Sequence, residues 1–289
     1  MTPIYAVFFD LDGTLLTRSK DVSIENRNSI RYLAHRGMLL GLATGRDPLK
    51  VRELLPLWGI DGCIRWIVGY NGADVLDLQT GVLSKGPYLS LDDFKKLEKA
   101  IRYLPVAACL RTQKTLYCSR LTPVVAAYGL MRWQKPQTGS LEEFAGRQFP
   151  KFYLFGYPHQ IGQARDIQVP NMRLVPVGKY SVECIRAEVS KISGIHKALE
   201  GTGIPLENVL TFGDDWNDLD VLSSTYGVAM KNAVEECKKA ARQITKYPNM
   251  QDGVAYHIRQ IQATGQIRFC PWDLKEKAPV EDEENLLLD

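Results

Sequence analysis

No stretch of this sequence approaches the roughly 18 consecutive apolar residues that a membrane-spanning helix needs. The opening residues, Met-Thr-Pro-Ile-Tyr-Ala-Val-Phe-Phe-Asp, carry no basic segment ahead of an apolar one and reach an acid before a leader could form. The expectation is a cytoplasmic protein with no membrane partner. Six cysteines are scattered without a single C-x-x-C pair, and a chain of 289 residues buries enough surface to fold without disulfides, so reduced core thiols are expected. The four histidines, His35, His159, His196 and His257, lie too far apart in sequence to form a metal set and read as structural. Internal repeats are absent. The formal net charge is only +3, too weak an excess to point to nucleic acid.

That small charge hides an asymmetry. Residues 273–289 hold seven acidic and two basic side chains, a net of −5, which leaves +8 on the other 272. With 45% hydrophobic and 24% charged residues, the composition is that of an ordinary globular chain with an acidic, disorder-prone tail.

The hydrophobic pattern reads strand, helix, strand, helix, strand. Ile4 to Phe9 is an apolar run that stops at Asp10, as expected of a strand buried on both faces. A helix should begin after the N-cap Ser23 and end at Gly37. A second strand, Met38 to Ala43, ends at Thr44-Gly45-Arg46, and Pro48 suits the first turn of another helix. A third strand, Trp66 to Tyr70, ends at Asn71-Gly72. From about Ser84 the rhythm changes, with a helix over Leu91 to Leu104 and strand-like pieces such as Lys151 to Gly156. After Arg186 it returns: Val209 to Phe212 and Tyr226 to Met230 read as strands, and Asp218 to Ser223, Ala233 to Arg242 and Asp252 to Gln262 as helices. The expected fold is α/β, a Rossmann-like doubly wound parallel sheet with an inserted α+β cap domain. Its core would comprise 1–83 and 188–268, its cap 84–187, and its tail 269–289.

Polar residues collect at the C-terminal ends of the predicted strands, where ligands bind in such sheets. In Asp10-Leu11-Asp12-Gly13-Thr14, two carboxylates two residues apart can face one site, and crowded like charges call for a cation. A calcium-hand loop is excluded because its sixth position, a glycine, is Leu15 here. Gly213-Asp214-Asp215-Trp216-Asn217-Asp218 is a second acidic cluster after a strand; together they suit a hard cation with oxygen ligands, Mg2+ best of all. Thr44-Gly45 offers a hydroxyl and backbone N–H groups at a helix start, which suit an anion. Taken singly, each piece also fits a solvated turn or a helix cap.

Jointly they resemble the haloacid dehalogenase-like phosphohydrolases, specifically the Cof-type branch whose larger cap lies between the second and third motifs. The matching segments are Asp10-Leu11-Asp12-Gly13-Thr14-Leu15, Leu42-Ala43-Thr44-Gly45-Arg46, Asn71-Gly72-Ala73, Ser190-Lys191, Gly213 to Asp218, Gly227-Val228-Ala229-Met230-Lys231-Asn232-Ala233 and Asp252-Gly253-Val254-Ala255. The resemblance implies Asp10 as nucleophile, forming an aspartyl-phosphate, and Asp12 as general acid and base. Transport ATPases of the same superfamily carry Thr at the latter place, so Asp12 favours hydrolysis or phosphoryl transfer. It also implies Mg2+ held by the Asp10 carboxylate, the Asp12 backbone carbonyl and Asp214, with Asp218 orienting metal waters or Lys191. Thr44, the Gly45 and Leu11 amides, Lys191 and Asn217 would hold the phosphoryl oxygens. Lys197, six residues on, competes with Lys191 for that role. Ile192 and Lys231 depart from the family pattern, which usually has Gly at both positions.

The implied function is Mg2+-dependent hydrolysis of a small phosphorylated metabolite, such as a sugar phosphate, by a monomer or homodimer. The alternatives are a phosphotransferase or phosphomutase using the same intermediate, or a catalytically idle metabolite-binding protein. In the cap, Arg120, Tyr128, Arg132, Trp133 and His159 are candidates to grip the substrate, and Trp216 either covers the site or packs on its own helix.

Overall fold

Ala6-Val7-Phe8-Phe9 is buried at every position because alternate side chains of this strand, β1, enter two different cores. Val7 and Phe9 join one apolar cluster and Ala6 and Phe8 another, so helices must cover both sheet faces. The computed structural model describes residues 1–112 and 115–272. After β1 come α1 (Ile24–His35), β2 (Leu39–Ala43), α2 (Pro48–Trp58), β3 (Trp66–Gly69), and a hairpin of β4 (Asp74–Asp77) and β5 (Leu83–Lys85). Ser23 caps α1 by accepting from the Asn26 N–H, and Pro48 opens α2 behind the N-cap Asp47.

The inserted unit contains α3 (Leu91–Ala100), β6 (Ala107–Arg111), β7 (Thr115–Cys118), α4 (Pro123–Met131), β8 (Lys135–Gln137), β9 (Phe152–Phe155), α5 (Pro158–Ala164), β10 (Met172–Val177) and β11 (Ser181–Arg186). The first sheet then resumes with α6 (Lys191–Leu199), β12 (Val209–Gly213), α7 (Leu219–Ser224), β13 (Tyr226–Ala229), α8 (Glu235–Ala240), β14 (Gln243–Ile244) and α9 (Gly253–Ala263).

The first sheet has eight strands in the order β14-β13-β12-β1-β2-β3-β4-β5. Six pair in parallel as expected; an edge hairpin is added in which β4 alone runs the other way and β5 pairs antiparallel with it. The chain moves one way from β1 and returns on its other side at β12, which makes the β1/β12 boundary the topological switch point. The register sets Phe9 beside both Leu42 and Phe212, so the residues after them leave the sheet at one level. The second sheet, β8-β7-β6-β9-β11-β10, is mostly antiparallel. One of its faces packs on α3 and α5; the other carries Tyr153, Phe155 and Cys109 against Val125 of α4. This is α/β with an inserted α+β unit.

Two further details differ from expectation. Ile4 to Phe9 is not one strand: Thr2–Ile4 pairs with Ile267–Phe269, and the chain steps at Tyr5, whose N–H donates to the Asn208 carbonyl, before β1 begins. For the same reason residues 269–272 are not tail. Phe269 pairs with Ile4, Cys270 is buried, and the Trp272 N–H donates to the Gly37 carbonyl. The disorder expected of 273–289 lies outside the described residues. All six cysteines are free thiols.

His257 sits on α9 with its ring edge-on to Phe212, 3% exposed, and neither ring nitrogen has a hydrogen-bond partner among the described residues. Burial depresses its pKa to about 4. The neutral ring is therefore the folded form. As pH falls from the ordinary histidine value near 6.5 towards 4, the unfolded chain binds a proton that the folded one does not, and stability is lost across that window by up to about 3 kcal/mol. His257→Leu should flatten the acid limb of a plot of unfolding midpoint against pH between those values; an unchanged limb refutes the assignment.

Candidate active site

Asp10 follows β1, and its N–H still pairs with the Phe212 carbonyl at 3.0 Å, so its side chain emerges at the switch point. Asp214 follows β12 next door. Gly13 carries φ +89° between them, and a Cβ there would lie 2.2 Å from Asp214 Oδ2; the turn after Asp10 is open to glycine alone. The Leu11 carbonyl accepts from the N–H groups of Thr14, Leu15 and Leu16, folding this turn so that Thr14 Oγ1 donates to Asp214 Oδ1 at 2.8 Å.

Lys191 opens α6 behind a Ser190 cap. Gly72 fixes where that helix starts: with φ +105°, its missing Cβ would fall 1.8 Å from the Ser190 carbonyl oxygen. The Lys191 ammonium, in a residue 1% exposed, donates to Asp10 Oδ1 and to Asp218 Oδ1, each at 2.6 Å. Asp218 Oδ2 accepts from the N–H groups of Asp214 and Asp215 at 3.0 and 3.2 Å, so both of its oxygens are engaged. Asp10 Oδ2 has no hydrogen-bond partner among the described residues. Lys197 lies on another face of α6 and is partly exposed. Ile192 packs into the apolar cluster around Phe8, and Lys231 is exposed; neither displaces Lys191 from the carboxylates.

Donor oxygens of Asp10, Asp214 and Asp218 lie within 4.8 Å of one another. Burial, then the neighbouring carboxylates, push Asp214 up to about 7. Asp10 is also raised, chiefly by burial and against the pull of Lys191. Three clustered carboxylates with hard oxygen donors fit a divalent cation of the Mg2+ type. Asp10 Oδ2 is open for such an ion, whereas both oxygens of Asp218 also hold Lys191 or backbone N–H groups.

Asp12 turns away from this cluster. Its oxygens take Arg46 Nε at 2.7 Å, Arg46 Nη2 at 2.6 Å and Lys20 Nζ at 2.7 Å. Partial burial acts to raise its pKa, but the bidentate Arg46 and Lys20 outweigh it and hold the carboxyl below its ordinary value. Thr44 is buried at the end of β2, its N–H on the Val68 carbonyl at 2.8 Å. Its own carbonyl accepts from the Asn71 N–H at 3.0 Å, tying the loop after β2 to the loop after β3. Asn217 Nδ2 donates to Asn71 Oδ1 at 3.0 Å.

The inserted sheet meets these loops directly. Lys151 Nζ donates to the Gly45 carbonyl at 2.8 Å and forms an ion pair with Glu183 Oε1, while Glu183 Oε2 accepts from Asn71 Nδ2 at 2.7 Å. Trp216 packs against an apolar cluster that includes Val175 and Ile185 of the insert, and Arg165 lies over its ring. Of the five cap candidates, Tyr128 alone joins this face, accepting from Arg111 Nη1 at 3.0 Å beside Tyr153 and Phe155. Arg120, Arg132, Trp133 and His159 are exposed, Arg132 over the Tyr128 ring and His159 stacked on Tyr157. Lys151, Glu183, Tyr153 and Arg111 were missed. The available signal was a carboxylate set in the middle of the apolar run Val182-Glu183-Cys184-Ile185, which an alternating strand must bury.

A family model of haloacid dehalogenase-like hydrolases matches residues 7–258. The chain belongs to that family. Among curated relatives of this haloacid dehalogenase-like hydrolase, the 5-amino-6-(5-phospho-D-ribitylamino)uracil phosphatase YwtE of Bacillus subtilis is 26% identical over 288 residues, covering 88% of this chain and 97% of the relative. YitU, of the same name and organism, is 27% identical over 271 residues, covering 90% and 98%. Among solved structures, BT1666 from Bacteroides thetaiotaomicron, from a study of phosphatases of the superfamily, aligns with a TM-score of 0.76 at 20% identity, over 90% of this chain and 95% of that one. The subclass IIB sugar phosphatase BT4131 aligns at 0.73 and 21%, over 90% and 98%. At these identities the structures establish a shared fold.

Lys20 reaches Asp12 from an exposed loop and makes no contact with the buried carboxylates. Lys20→Met should therefore raise the Asp12 pKa towards the ordinary aspartate value, a change readable by carbon-detected NMR titration of its carboxyl. No upward movement would refute the pairing.

Proposed function

We propose that this hydrolase is a Mg2+-dependent phosphatase that cleaves small phosphate monoesters, sugar phosphates or related metabolites, through an aspartyl-phosphate on Asp10. The observation that carries the reading is the Asp10 carboxylate at the switch point: Oδ1 is anchored by a buried ammonium and Oδ2 is left free to attack. Relatives named as phosphatases that align along nearly their whole length support it.

In the first step Asp10 Oδ2 forms a bond to phosphorus as the ester P–O bond breaks, and Asp12 gives its proton to the departing oxygen. In the second, Asp12 as carboxylate takes a proton from water, the water oxygen attacks phosphorus, and the P–O bond to Asp10 breaks to release inorganic phosphate. Lys191, Thr44, the Gly45 and Leu11 amides and the Asn217 amide would hold the phosphoryl oxygens, where transition-state charge is spread. Asp10, the Asp12 backbone carbonyl and Asp214 would hold Mg2+, which when bound offsets charge between nucleophile and phosphate. The pairing of Asp12 with Arg46 and Lys20 maintains the base form; acting as acid requires the side chain to leave them. The face carrying Lys151, Tyr153, Arg111 and Tyr128 lies beyond the Gly45 loop and would meet the leaving group, with residues 84–187 serving as the cap that excludes water and selects the substrate.

Purified protein should release phosphate from 4-nitrophenyl phosphate with Mg2+ and stop when EDTA is added. Asp10→Asn should reduce release to background, and Asp12→Asn should slow it roughly 10²–10⁴-fold, the range of general acid–base contributions. Turnover by Asp10→Asn sinks the nucleophile assignment. Phosphate appearing on an added sugar alcohol instead of in solution would make the protein a transferase.

A further inference from the structure

Lys151 and Glu183 form an ion pair in the inserted sheet, with side chains only 9% and 10% exposed. Such a pair is poor value as a stabiliser: taking two charges out of water offsets most of their attraction, and apolar replacements of similar volume are often neutral or better. Its hydrogen bonds to the eight-stranded unit are more informative. They run to the Gly45 carbonyl and to the Asn71 side chain, and Asn71 in turn holds Asn217. These are the loops after β2, β3 and β12, and the first and last of them carry Thr44, Gly45 and Asn217, proposed above as phosphate donors.

We propose that Glu183, neutralised by Lys151, is a positioning residue that sets the polarity of the Asn71 and Asn217 amides and so turns the Asn217 NH2 group towards the phosphoryl site. This rests on the reading of Asn217 as a phosphate donor. The chemistry is one of forced direction. An ionised carboxylate only accepts hydrogen bonds, whereas a primary amide can present either its oxygen or its nitrogen. Asn71 must therefore give its NH2 to Glu183 Oε2 and keep its oxygen for Asn217. That oxygen demands an N–H, so Asn217 must bring its NH2 end to the junction, with one N–H spent on Asn71 and the second left for an anion. Without Glu183 both amides can flip, and Asn217 can set its carbonyl oxygen against the phosphate. The Asn71 backbone is held at φ +57° between Tyr70 and Gly72, which leaves its side chain facing the insert. Lys151 is ion-paired with Glu183 and fastens it over Gly45. The inserted unit thus reaches the phosphate site through a carboxylate, in addition to any contact it makes with the leaving group.

The test is a coupling measurement read as the inhibition constant of inorganic phosphate and as kcat/KM for 4-nitrophenyl phosphate. In the wild type, Asn217→Ala should weaken phosphate inhibition about tenfold, the scale of one charge-assisted hydrogen bond. In the pair-removed background Lys151→Met/Glu183→Leu, which should itself weaken it about tenfold, the further cost of Asn217→Ala should be under about twofold. Glu183→Gln should weaken phosphate inhibition about as much as removal of the pair, because its one oxygen goes to Lys151 and its NH2 then faces Asn71 and reverses the relay. If the pair-removed protein does not fold, Asn71→Gly interrupts the relay, tolerates the positive φ and should show the same loss of coupling. A full tenfold cost of Asn217→Ala in both backgrounds, or wild-type phosphate inhibition after removal of the pair, overturns the relay while leaving the phosphatase reading intact. A wild type that releases no phosphate from 4-nitrophenyl phosphate with Mg2+ overturns that reading and the relay with it.

Discussion

The structure depends on one ammonium group. Three carboxylates from the ends of two adjacent strands and the turn beyond are crowded at the switch point of the sheet, and burial raises the cost of every charge among them. Lys191 lies between Asp10 and Asp218 at 2.6 Å from each, and it reaches that place from the first turn of the helix that follows the insert. The return of the chain from the second sheet to the first is thereby registered against the acidic cluster. Small residues enforce this: Gly13 lets Asp214 close on the turn after Asp10, and Gly72 lets the helix carrying Lys191 start against the loop after β3. Each close approach brings into contact elements far apart in sequence, so the cluster assembles only when both halves of the eight-stranded sheet are in place.

A second consequence is that the insert is not loosely appended. It leaves after the β4–β5 hairpin and returns at Lys191, and between these points it sends a buried ion pair back to Gly45 and Asn71 and an arginine, Arg173, to Asp220 at 2.8 Å. Trp216, within the acidic loop itself, completes the contact by packing on Val175 and Ile185. The loops expected to bind phosphate are therefore built from one sheet and braced by the other.

Much of this was legible in the sequence, for a physical reason. Strands buried on both faces are unbroken apolar runs, and a polar residue that ends such a run must leave the sheet at its edge; that placed Asp10, Thr44 and Asp214 at one end before any coordinates. The same rule failed at Tyr5, because an apolar run does not say which partner each half takes, and Ile4 and Ala6 pair with different strands. The β4–β5 hairpin was invisible because its short edge strands mix buried and exposed positions. In the insert, aromatic and charged residues such as Trp133 and Arg120 looked equipped for ligands yet point to solvent, while Lys151 and Glu183 gave little signal. A residue's facing in a half-buried strand is fixed by register, and register is a non-local property. Helical phase separates Lys191 from Lys197: six residues along α6 turn the second lysine to another face.

The charge balance ties these points together. Asp12 is matched by Arg46 and Lys20, and Glu183 by Lys151, so each of these carboxylates is satisfied by its own cations. Among the described residues Asp10, Asp214 and Asp218 share Lys191 alone, which leaves a local charge of −2 when all are ionised. The overall +3 of the chain cannot relieve that deficit, because exposed charges more than a Debye length away are screened by salt, whereas the buried carboxylates act on one another at close range. Two remedies exist. Protons can be taken up, which is what the raised pKa values of Asp10 and Asp214 express, or a cation can enter. Protonation would disable Asp10 as a nucleophile. A single divalent ion cancels the deficit and keeps the carboxylate ionised, so the Mg2+ proposed for this site follows from the same crowding that makes Lys191 necessary.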